Sequence, residues 1–290
     1  MNFKIIRLIA HALVLATGVG FTSAKSASPP LLWADEFNQP AGSAPDSSHW
    51  SFDLGGTGWG NRELETYTNS PENASIVRDS DASDGKALAI RAVKSRDGHY
   101  TSARLKTQGK FSVCYGRIEA RLKMPNGQGI WPAFWMLSTG ITKIGWPACG
   151  EIDVVEAINA NPTTVYGTLH GPGYSGGYAL QGSTKLLSGT LDQAYHVYAV
   201  DWSADKISWS FDGAVYSVAN PASLPPGTRW VFNDNAFFLL LNLAVGGEWP
   251  GNPQVDTPFP QTYSIDYIRV YGHPTSVQSK ESRTDVDPRK

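Results

Sequence analysis

The chain has 290 residues and a formal net charge of −2, and its Lys and Arg residues form no basic stripe. This balance argues against nucleic acid as a partner and disfavours a polyanionic substrate, since both would favour clustered positive charge. The 29 glycines and 19 prolines are spread between β-branched runs, which favours one many-stranded antiparallel domain over two smaller domains.

Residues 1–27 have the composition of a secretory signal peptide. Lys4 and Arg7 precede an apolar stretch over residues 8–21, and small residues up to Ala27 offer cleavage sites. An anchoring helix is the alternative, but the apolar stretch is shorter than the roughly 20 residues that a bilayer requires. We therefore expect a secreted protein, extracellular or periplasmic, with no membrane association after cleavage. Loss of Lys4 and Arg7 would leave a net charge of −4.

The folded domain is predicted to span residues 31–272, followed by a disordered polar tail at 273–290. The segment 237–245 is apolar throughout, as expected of a central strand covered on both faces. Asp212-Gly213 lies between alternating apolar residues and indicates a hairpin. The hairpin spans 206–218, and single strands are predicted at 31–39, 85–93, 101–113, 115–124, 129–137, 150–159, 237–245 and 263–272. Helical periodicity is nearly absent, so the predicted fold class is all-β, a two-layer antiparallel β-sandwich.

The segment GEIDVVEAIN places three acids on a predicted strand. Side chains alternate along a strand, so Glu151 and Asp153 share a face while Glu156 should point the other way. A β-bulge at Val154 or Val155 would return Glu156 to the side of its partners. The three carboxyl groups would then converge, and repulsion would raise the pKa of at least one of them. The alternatives are a solvated strand face and a calcium site.

Converging carboxyl groups suit glycosidic bond cleavage, in which one protonates the leaving oxygen and a second acts on the anomeric carbon. Retaining enzymes hold the two groups about 5 to 5.5 Å apart, a spacing within reach of neighbours on one strand face. We therefore predict retention of configuration.

Tryptophans flank the acidic strand. Trp131 and Trp135 share a face if their segment is extended, and indole rings suit the apolar faces of sugars. The alternative is that tryptophans fill the core, a role that we assign to Trp33, Trp202 and Trp209.

The run WPACGEIDVVE (146–156) resembles the active-site strand of glycoside hydrolase family 16, in its laminarinase-like branch. GWGNRE (58–63), YGRIEARLKMP (115–125), WPAFWML (131–137) and LNLAVGGEWPG (241–251) resemble the same branch in the same order. The resemblance covers residues 31–272. It implies a jelly-roll sandwich with a concave substrate cleft and a bulged catalytic strand. No cofactor is expected for catalysis, and we expect a monomer.

The activity implied by this resemblance is that of an endo-acting hydrolase cleaving β-1,3 bonds in laminarin-like glucans, with mixed-linkage β-1,3-1,4-glucan as a further substrate. The glucan polysaccharide is the expected partner. A transglycosylase or a galactanase for agar or carrageenan is an alternative on the same fold. A non-catalytic β-glucan-binding protein is a second alternative, which retention of all three acids disfavours.

The resemblance also implies roles for individual residues. Glu151 would be the nucleophile, Glu156 the general acid/base, and Asp153 a hydrogen-bond partner of the nucleophile. His170, on a Gly-rich loop, either borders the cleft or makes structural hydrogen bonds in the loop with no role in the chemistry. The implied substrate-binding residues are Asn61, Arg104, Trp131, Trp135 and Trp249, together with His170, and Arg104 could instead pair with a surface acid.

Three further features are left open by the sequence. The family's structural calcium would correspond to Glu36, the Gly85 carbonyl and Asp266. The chain has Glu65 where the family often has Gln, which puts one subsite contact in doubt. Cys114 and Cys149 could form a disulfide in an oxidising compartment or be two buried free thiols.

Overall fold

Two antiparallel sheets form the fold, in a computed structural model that describes residues 28–158 and 160–273. The predicted leader at 1–27 and the predicted tail beyond His273 lie outside the described residues. The described residues from Pro29 to His273 form one compact unit. No helix within them is long and apolar enough to cross a membrane.

The strands alternate with short turns and little helix. In chain order they are β1 (Leu31–Asp35), β2 (Ser51–Asp53), β3 (Glu65–Tyr67), β4 (Ala74–Arg78), β5 (Lys86–Lys94), β6 (Tyr100–Ser102), β7 (Arg104–Lys106), β8 (Gly116–Lys123), β9 (Ile130–Ser138), β10 (Glu151–Glu156), β11 (Thr164–His170), β12 (Leu180–Lys185), β13 (His196–Ser203), β14 (Lys206–Phe211), β15 (Ala214–Ala219), β16 (Phe237–Val245) and β17 (Gln261–Tyr271). One helical turn, α1, spans Ile141–Ile144, and 3₁₀ turns span Gly176–Tyr178 and Pro221–Ser223.

The strands divide into a ten-stranded and a seven-stranded sheet. The ten-stranded sheet has the order β15-β14-β13-β8-β17-β5-β6-β3, with β1 on β17 and β4 on β5. The seven-stranded sheet has the order β12-β11-β10-β9-β16-β7-β2. Some neighbouring strands, such as β13 to β15 and β9 to β12, are consecutive in the chain, whereas others, such as β8 with β17, come from distant parts of it. Within the described residues, all the strand pairs are antiparallel apart from β3 with β6. The predicted two-layer sandwich is confirmed.

The main core lies between the two sheets. On β8, Ile118, Ala120 and Leu122 are fully buried while the charged residues between them point outward, as the alternation predicts. On β16, Leu239 and Leu241 belong to the main core. The intervening Phe238 and Leu240 pack in a second cluster with Leu137 and Cys149 on the other face of the sheet. This second cluster explains why β16 is apolar on both faces.

One predicted strand is wrong. Residues 101–113 do not form a single strand, because the chain crosses from β6 in the ten-stranded sheet to β7 in the seven-stranded sheet at the buried residue Ala103. β7 ends at Lys106, and the chain then turns through Gly109, whose φ is 77°. A glycine is favoured at such a positive φ because it has no Cβ.

The cysteines are both free thiols in the structure. Cys114 is exposed and Cys149 is buried, so the disulfide alternative is not supported and only Cys149 is a buried thiol. Trp202 and Trp209 are buried in the core as predicted, and Trp33 is half-buried at its edge, where it stacks on Phe111.

Candidate active site

β10 lies between β9 and β11 and carries the predicted bulge. Against β9, Asp153 pairs with Trp135, whereas Glu156 pairs with Ala133, where an unbroken ladder would place Pro132. The ladder with β11 shifts over the same stretch. Residues directly opposite each other on antiparallel strands share a face of the sheet. The one-residue shift therefore puts Glu156 on the same face as Asp153, and the predicted bulge is confirmed.

A cleft of about 720 Å³ lies over this face of the seven-stranded sheet. Its volume falls within the usual range of small-ligand sites. The structure brings together in this cleft all nine residues that the sequence predicts as catalytic or substrate-binding: Asn61, Arg104, Trp131, Trp135, Glu151, Asp153, Glu156, His170 and Trp249. Their positions agree with the predicted roles, which themselves stay predictions.

The three carboxyl groups are largely removed from water. Asp153 and Glu156 are 3% and 7% exposed, and the Glu151 side chain keeps 15% exposure. Burial raises the pKa of all three to about 8, and the charge of Asp153 further raises the pKa of Glu151 and Glu156. A carboxyl group with a raised pKa keeps its proton near neutral pH. The cluster can therefore supply a proton to a bound substrate.

Glu156 is held by donors on both of its oxygens. Trp131 Nε1 donates to Oε1 at 3.0 Å, and Thr168 Oγ1 lies 3.2 Å from Oε2. Gln181 Nε2 donates to Thr168 Oγ1 at 3.3 Å. A hydroxyl donates to an ionised carboxylate and accepts from a protonated one. Thr168 can therefore remain bonded to Glu156 in both protonation states.

Glu151 and Asp153 face His170 and an exposed indole. Trp146 Nε1 donates to Glu151 Oε2 at 3.0 Å. His170 Nε2 lies 3.2 Å from Asp153 Oδ2 and 3.7 Å from Glu151 Oε1. The backbone N–H of Gly176 donates to His170 Nδ1 at 3.1 Å. Because Nδ1 accepts this bond, the neutral ring carries its proton on Nε2, facing the two acids.

Glu151, Asp153 and His170 are the one group of described residues whose ligand atoms lie close enough, within 4.8 Å, to hold a metal ion. A histidine binds a metal through an unprotonated ring nitrogen. The Gly176 contact uses the Nδ1 lone pair and leaves the proton on Nε2, so this donor set suits hydrogen bonding to carboxylates better than metal binding.

One wall of the cleft is a guanidinium group between two indoles. Arg104 Cζ lies 4.8 Å from the ring centroids of both Trp59 and Trp135. Arg104 Nε donates to Asp53 Oδ2 at 3.1 Å, and Asp53 also pairs with Lys106. The side chains of Arg104 and Asp53 are only 14% and 15% exposed. Arg104 therefore lines the cleft and pairs with a largely buried acid, not with the surface acid considered as the alternative.

An aromatic corner lies beside Glu156. Trp249 meets Trp131 at 5.4 Å and 84°, and it meets Tyr166 at 5.1 Å and 67°. Edge-to-face contacts of this kind are favourable for aromatic pairs. Trp249 remains 37% exposed, so part of its ring is free to contact a substrate.

A chain of hydrogen bonds through largely buried side chains supports Trp135 and Asn61 in the cleft wall. Trp135 Nε1 donates to Asn242 Oδ1 at 2.7 Å, and Asn242 Nδ2 donates to the Tyr67 hydroxyl at 3.1 Å. Tyr67 donates to Glu63 Oε2 at 3.1 Å, and Asn61 Nδ2 donates to Glu63 Oε1 at 2.9 Å. Two predicted substrate contacts are thus fixed by one network.

Glu65 does not line the cleft. Its side chain is 1% exposed, and Oε2 accepts the backbone N–H of Val245 at 2.7 Å, which ties β3 to the end of β16. Burial, followed by the neighbouring charge of Glu63, raises the pKa of Glu65 to about 8. Glu65, where the family often has Gln, therefore affects how the strands under the cleft are held together and does not line the cleft itself.

The structure adds residues that sequence reasoning did not assign to the site. Trp59 and Glu63 lie within the GWGNRE motif, and Trp146 lies in the loop before the acidic strand, so the position of each in the sequence pointed to the site. Thr168 and Gln181 had none, because their contacts with the site depend on the pairing of β11 with β10 and β12. The added residues are Trp59, Glu63, Trp146, Tyr166, Thr168, Gln181 and Asn242.

The predicted calcium ligands do not form an open cation site. Glu36 is held by two bonds of 2.8 Å from Arg269. Asp266 is bound by Arg121 and by the backbone and hydroxyl of Ser83. The Gly85 carbonyl accepts the backbone N–H of Asp79 at 3.1 Å. A calcium ion would have to displace guanidinium groups from both acids, so these residues do not fit the ion.

Comparisons with known proteins agree with this geometry. The family model described as "Glycosyl hydrolases family 16" matches residues 65–269. A "Beta-glucanase" from Rhodothermus marinus is 39% identical over 251 residues, covering 83% of this chain and 84% of its own length. "Glucan endo-1,3-beta-glucosidase A1" from Niallia circulans is 37% identical, and this chain spans 37% of its length. The laminarinase catalytic domain from Thermotoga maritima has a TM-score of 0.74 at 43% identity, covering 85% of this chain and 99% of that domain.

We expect calcium to leave the stability of the protein unchanged. An ion that binds only the folded state raises the melting temperature with its concentration. Differential scanning calorimetry in EDTA and in millimolar CaCl₂ should give melting temperatures that agree within about 1 °C. A rise of several degrees with calcium would show that Arg121 or Arg269 yields its carboxylate to the ion.

Glu65→Gln should make the protein less sensitive to alkaline pH. Because the pKa of Glu65 is raised in the folded state, its contribution to stability is present below the unfolded pKa and is lost as the pH rises through about 8. Glutamine does not titrate, and its carbonyl can still accept the Val245 N–H. In urea unfolding, the stability of Glu65→Gln relative to wild type should rise by at least about 1 kcal/mol between pH 5 and pH 9.

The three acids of the cleft are unchanged in this variant, so their own titration cancels in the comparison. Glu72→Gln, at an exposed position, is the matched control and should follow the wild-type pH curve. Parallel curves for wild type and Glu65→Gln would contradict the raised pKa of Glu65.

Proposed function

The chain belongs to glycosyl hydrolase family 16, and from this membership and the cleft we propose that it is an endo-acting β-1,3-glucanase of laminarin-like glucans that retains anomeric configuration. The enzyme is a glycoside hydrolase, and the hydrolysis requires no cofactor. Mixed-linkage β-1,3-1,4-glucan is a further substrate class in this proposal.

The observation that carries the proposal is the convergence of Glu151, Asp153 and Glu156 on one face of a bulged strand, between aromatic walls. Indole rings pack against the apolar faces of pyranose rings. The lining spans the seven-stranded sheet from Arg104 on β7 to Gln181 on β12. An extended chain of neutral sugars fits such a groove, which supports cleavage at internal bonds.

In the first step, Glu156 donates its proton to the glycosidic oxygen while Glu151, as its carboxylate, attacks the anomeric carbon. The bond between that carbon and the leaving oxygen breaks, and a glycosyl ester forms on Glu151. The raised pKa of Glu156 keeps the proton available near neutral pH. Burial and then the charge of Asp153 raise the pKa of Glu151 to about 8, so the enzyme reacts from the form in which Glu151 has lost its proton and Glu156 has kept it.

In the second step, the ionised Glu156 removes a proton from water, whose oxygen attacks the anomeric carbon and releases the Glu151 carboxylate. Thr168 and Trp131 stabilise the ionised Glu156 during this step, because both can donate to it. Two displacements at one carbon return the original configuration. His170, with its proton on Nε2, faces Glu151 and Asp153 and can donate to whichever of them carries the charge.

We also propose export of the enzyme, on the basis of the leader at 1–27. Sequencing the amino terminus of protein recovered from the medium or periplasm should find Lys25 or Ser28 as the first residue. Retention of Met1 in a cell-associated protein would contradict this proposal.

A substrate panel tests the proposed activity. Purified protein should release short oligosaccharides from laminarin and curdlan and a smaller yield from lichenan, and should leave agarose and carrageenan intact. The first product seen by NMR should be the β-anomer. Glu151→Gln should lower kcat by ~10³-fold or more, because it removes the nucleophile.

Glu119→Gln is the matched control, because Glu119 points outward from β8 on the other sheet, and it should retain wild-type activity. Initial release of the α-anomer would contradict retention. Glucan binding without turnover would contradict the proposed catalytic activity. Turnover of agarose or carrageenan in preference to laminarin would contradict the proposed substrate class.

A further inference from the structure

Trp209, a residue of the opposite sheet, contacts the backbone at the start of the bulge. It lies on β14 and is 1% exposed. Its side chain extends across the core, and the indole Nε1 donates to the backbone carbonyl of Asp153 at 2.8 Å. An extra residue interrupts the hydrogen-bond ladder, so a buried carbonyl beside a bulge requires a donor from elsewhere. Trp209 is that donor.

The opposing strand leaves space for this indole. Gly167 on β11 lies between Tyr166 and Thr168, which pair with Glu156 and Asp153 across the bulge. A Cβ at Gly167 would lie 2.5 Å from Trp209 Nε1 and closer still to its Cδ1. Any side chain at Gly167 would therefore push the indole away from the Asp153 carbonyl.

The alternative register shows why this contact matters. Without the extra residue, Glu156 would face the intersheet core, because alternate strand residues point to opposite faces. The bulge places two consecutive apolar residues, Val154 and Val155, in the core and leaves Glu156 in the cleft. The bond from Trp209 fixes the backbone at the point where these two registers diverge.

We propose that Trp209 is a positioning residue for the general acid/base, acting through the Asp153 carbonyl to hold the register that places Glu156 in the cleft. This inference rests on the proposed function. Trp209 touches neither the substrate nor the reacting atoms, and its effect on catalysis passes through the backbone of β10.

The test compares Trp209→Phe with Trp202→Phe. Trp202 on β13 is also fully buried, and its Nε1 donates to a backbone carbonyl, that of Phe232, at 3.0 Å. Both variants lose one buried hydrogen bond of the same kind, so both should be destabilised to a similar extent. Only Trp209→Phe should lose kcat on laminarin, by about 100-fold with little change in KM, since a small displacement of a catalytic group has an effect of that size.

Azide rescue distinguishes misplacement of Glu156 from general loss of structure. An aryl β-laminarioside with a dinitrophenolate leaving group needs no proton from Glu156 to form the glycosyl ester. Azide can then attack the anomeric carbon of that ester, releasing the Glu151 carboxylate and forming a β-glycosyl azide without a general base. Azide should accelerate turnover of this substrate by Trp209→Phe and leave Trp202→Phe and wild type unchanged.

Gly167→Ala is a second variant that keeps the indole and displaces it, and it should show the same loss of kcat and the same azide rescue. A wild-type kcat in both Trp209→Phe and Gly167→Ala, or an equal loss in Trp202→Phe without rescue, would overturn the proposal. If the wild type does not cleave laminarin, the proposed function fails. The inference is then decided by a crystal structure of Trp209→Phe, in which an unchanged register of β10 would overturn it.

Discussion

Register in β10 determines on which side of the seven-stranded sheet the Glu156 carboxyl group lies. An unbroken strand would turn this group into the intersheet core, where an acid finds neither water nor a partner. The extra residue instead pairs Glu156 with Ala133 and brings it onto the face of Asp153. The bonds from Trp131 and Thr168 to its oxygens depend on this one change of register. So do the burial and the repulsion from Asp153 that raise its pKa.

Placing acids in a cleft with little water has a cost in stability. Burial raises the pKa of each of the three carboxyl groups, so folding holds them in an environment that disfavours their charged forms. Glu65, under the cleft wall, adds a fourth acid with a raised pKa. Active sites commonly trade stability for chemistry in this way. The network from Trp135 through Asn242 and Tyr67 offsets part of this cost, because it satisfies buried polar groups while fixing the wall.

Much of the fold follows from local patterns, and the rest depends on contacts that no local pattern reports. Alternation predicts β8 and the hairpin of β14 and β15, and the uniformly apolar run predicts a central β16. β11 and β12 were missed because glycine and short polar residues interrupt their patterns.

The bulge follows from the odd spacing of three acids. The role of Trp209 does not, because the sequence shows only an apolar setting and its N–H finds a partner across the core. The pairing of Arg121 and Arg269 with two of the predicted calcium ligands is likewise a contact that no local pattern reports.

Covalent trapping tests most directly the claim that the bulge assigns different chemistry to acids on one strand. An activated 2-deoxy-2-fluoro β-1,3-oligoglucoside should form a stable ester with the nucleophile, and peptide mass spectrometry locates the modified residue. We expect a single label, on Glu151. A label on Asp153 or Glu156, or turnover of glucan with no covalent species, would contradict it.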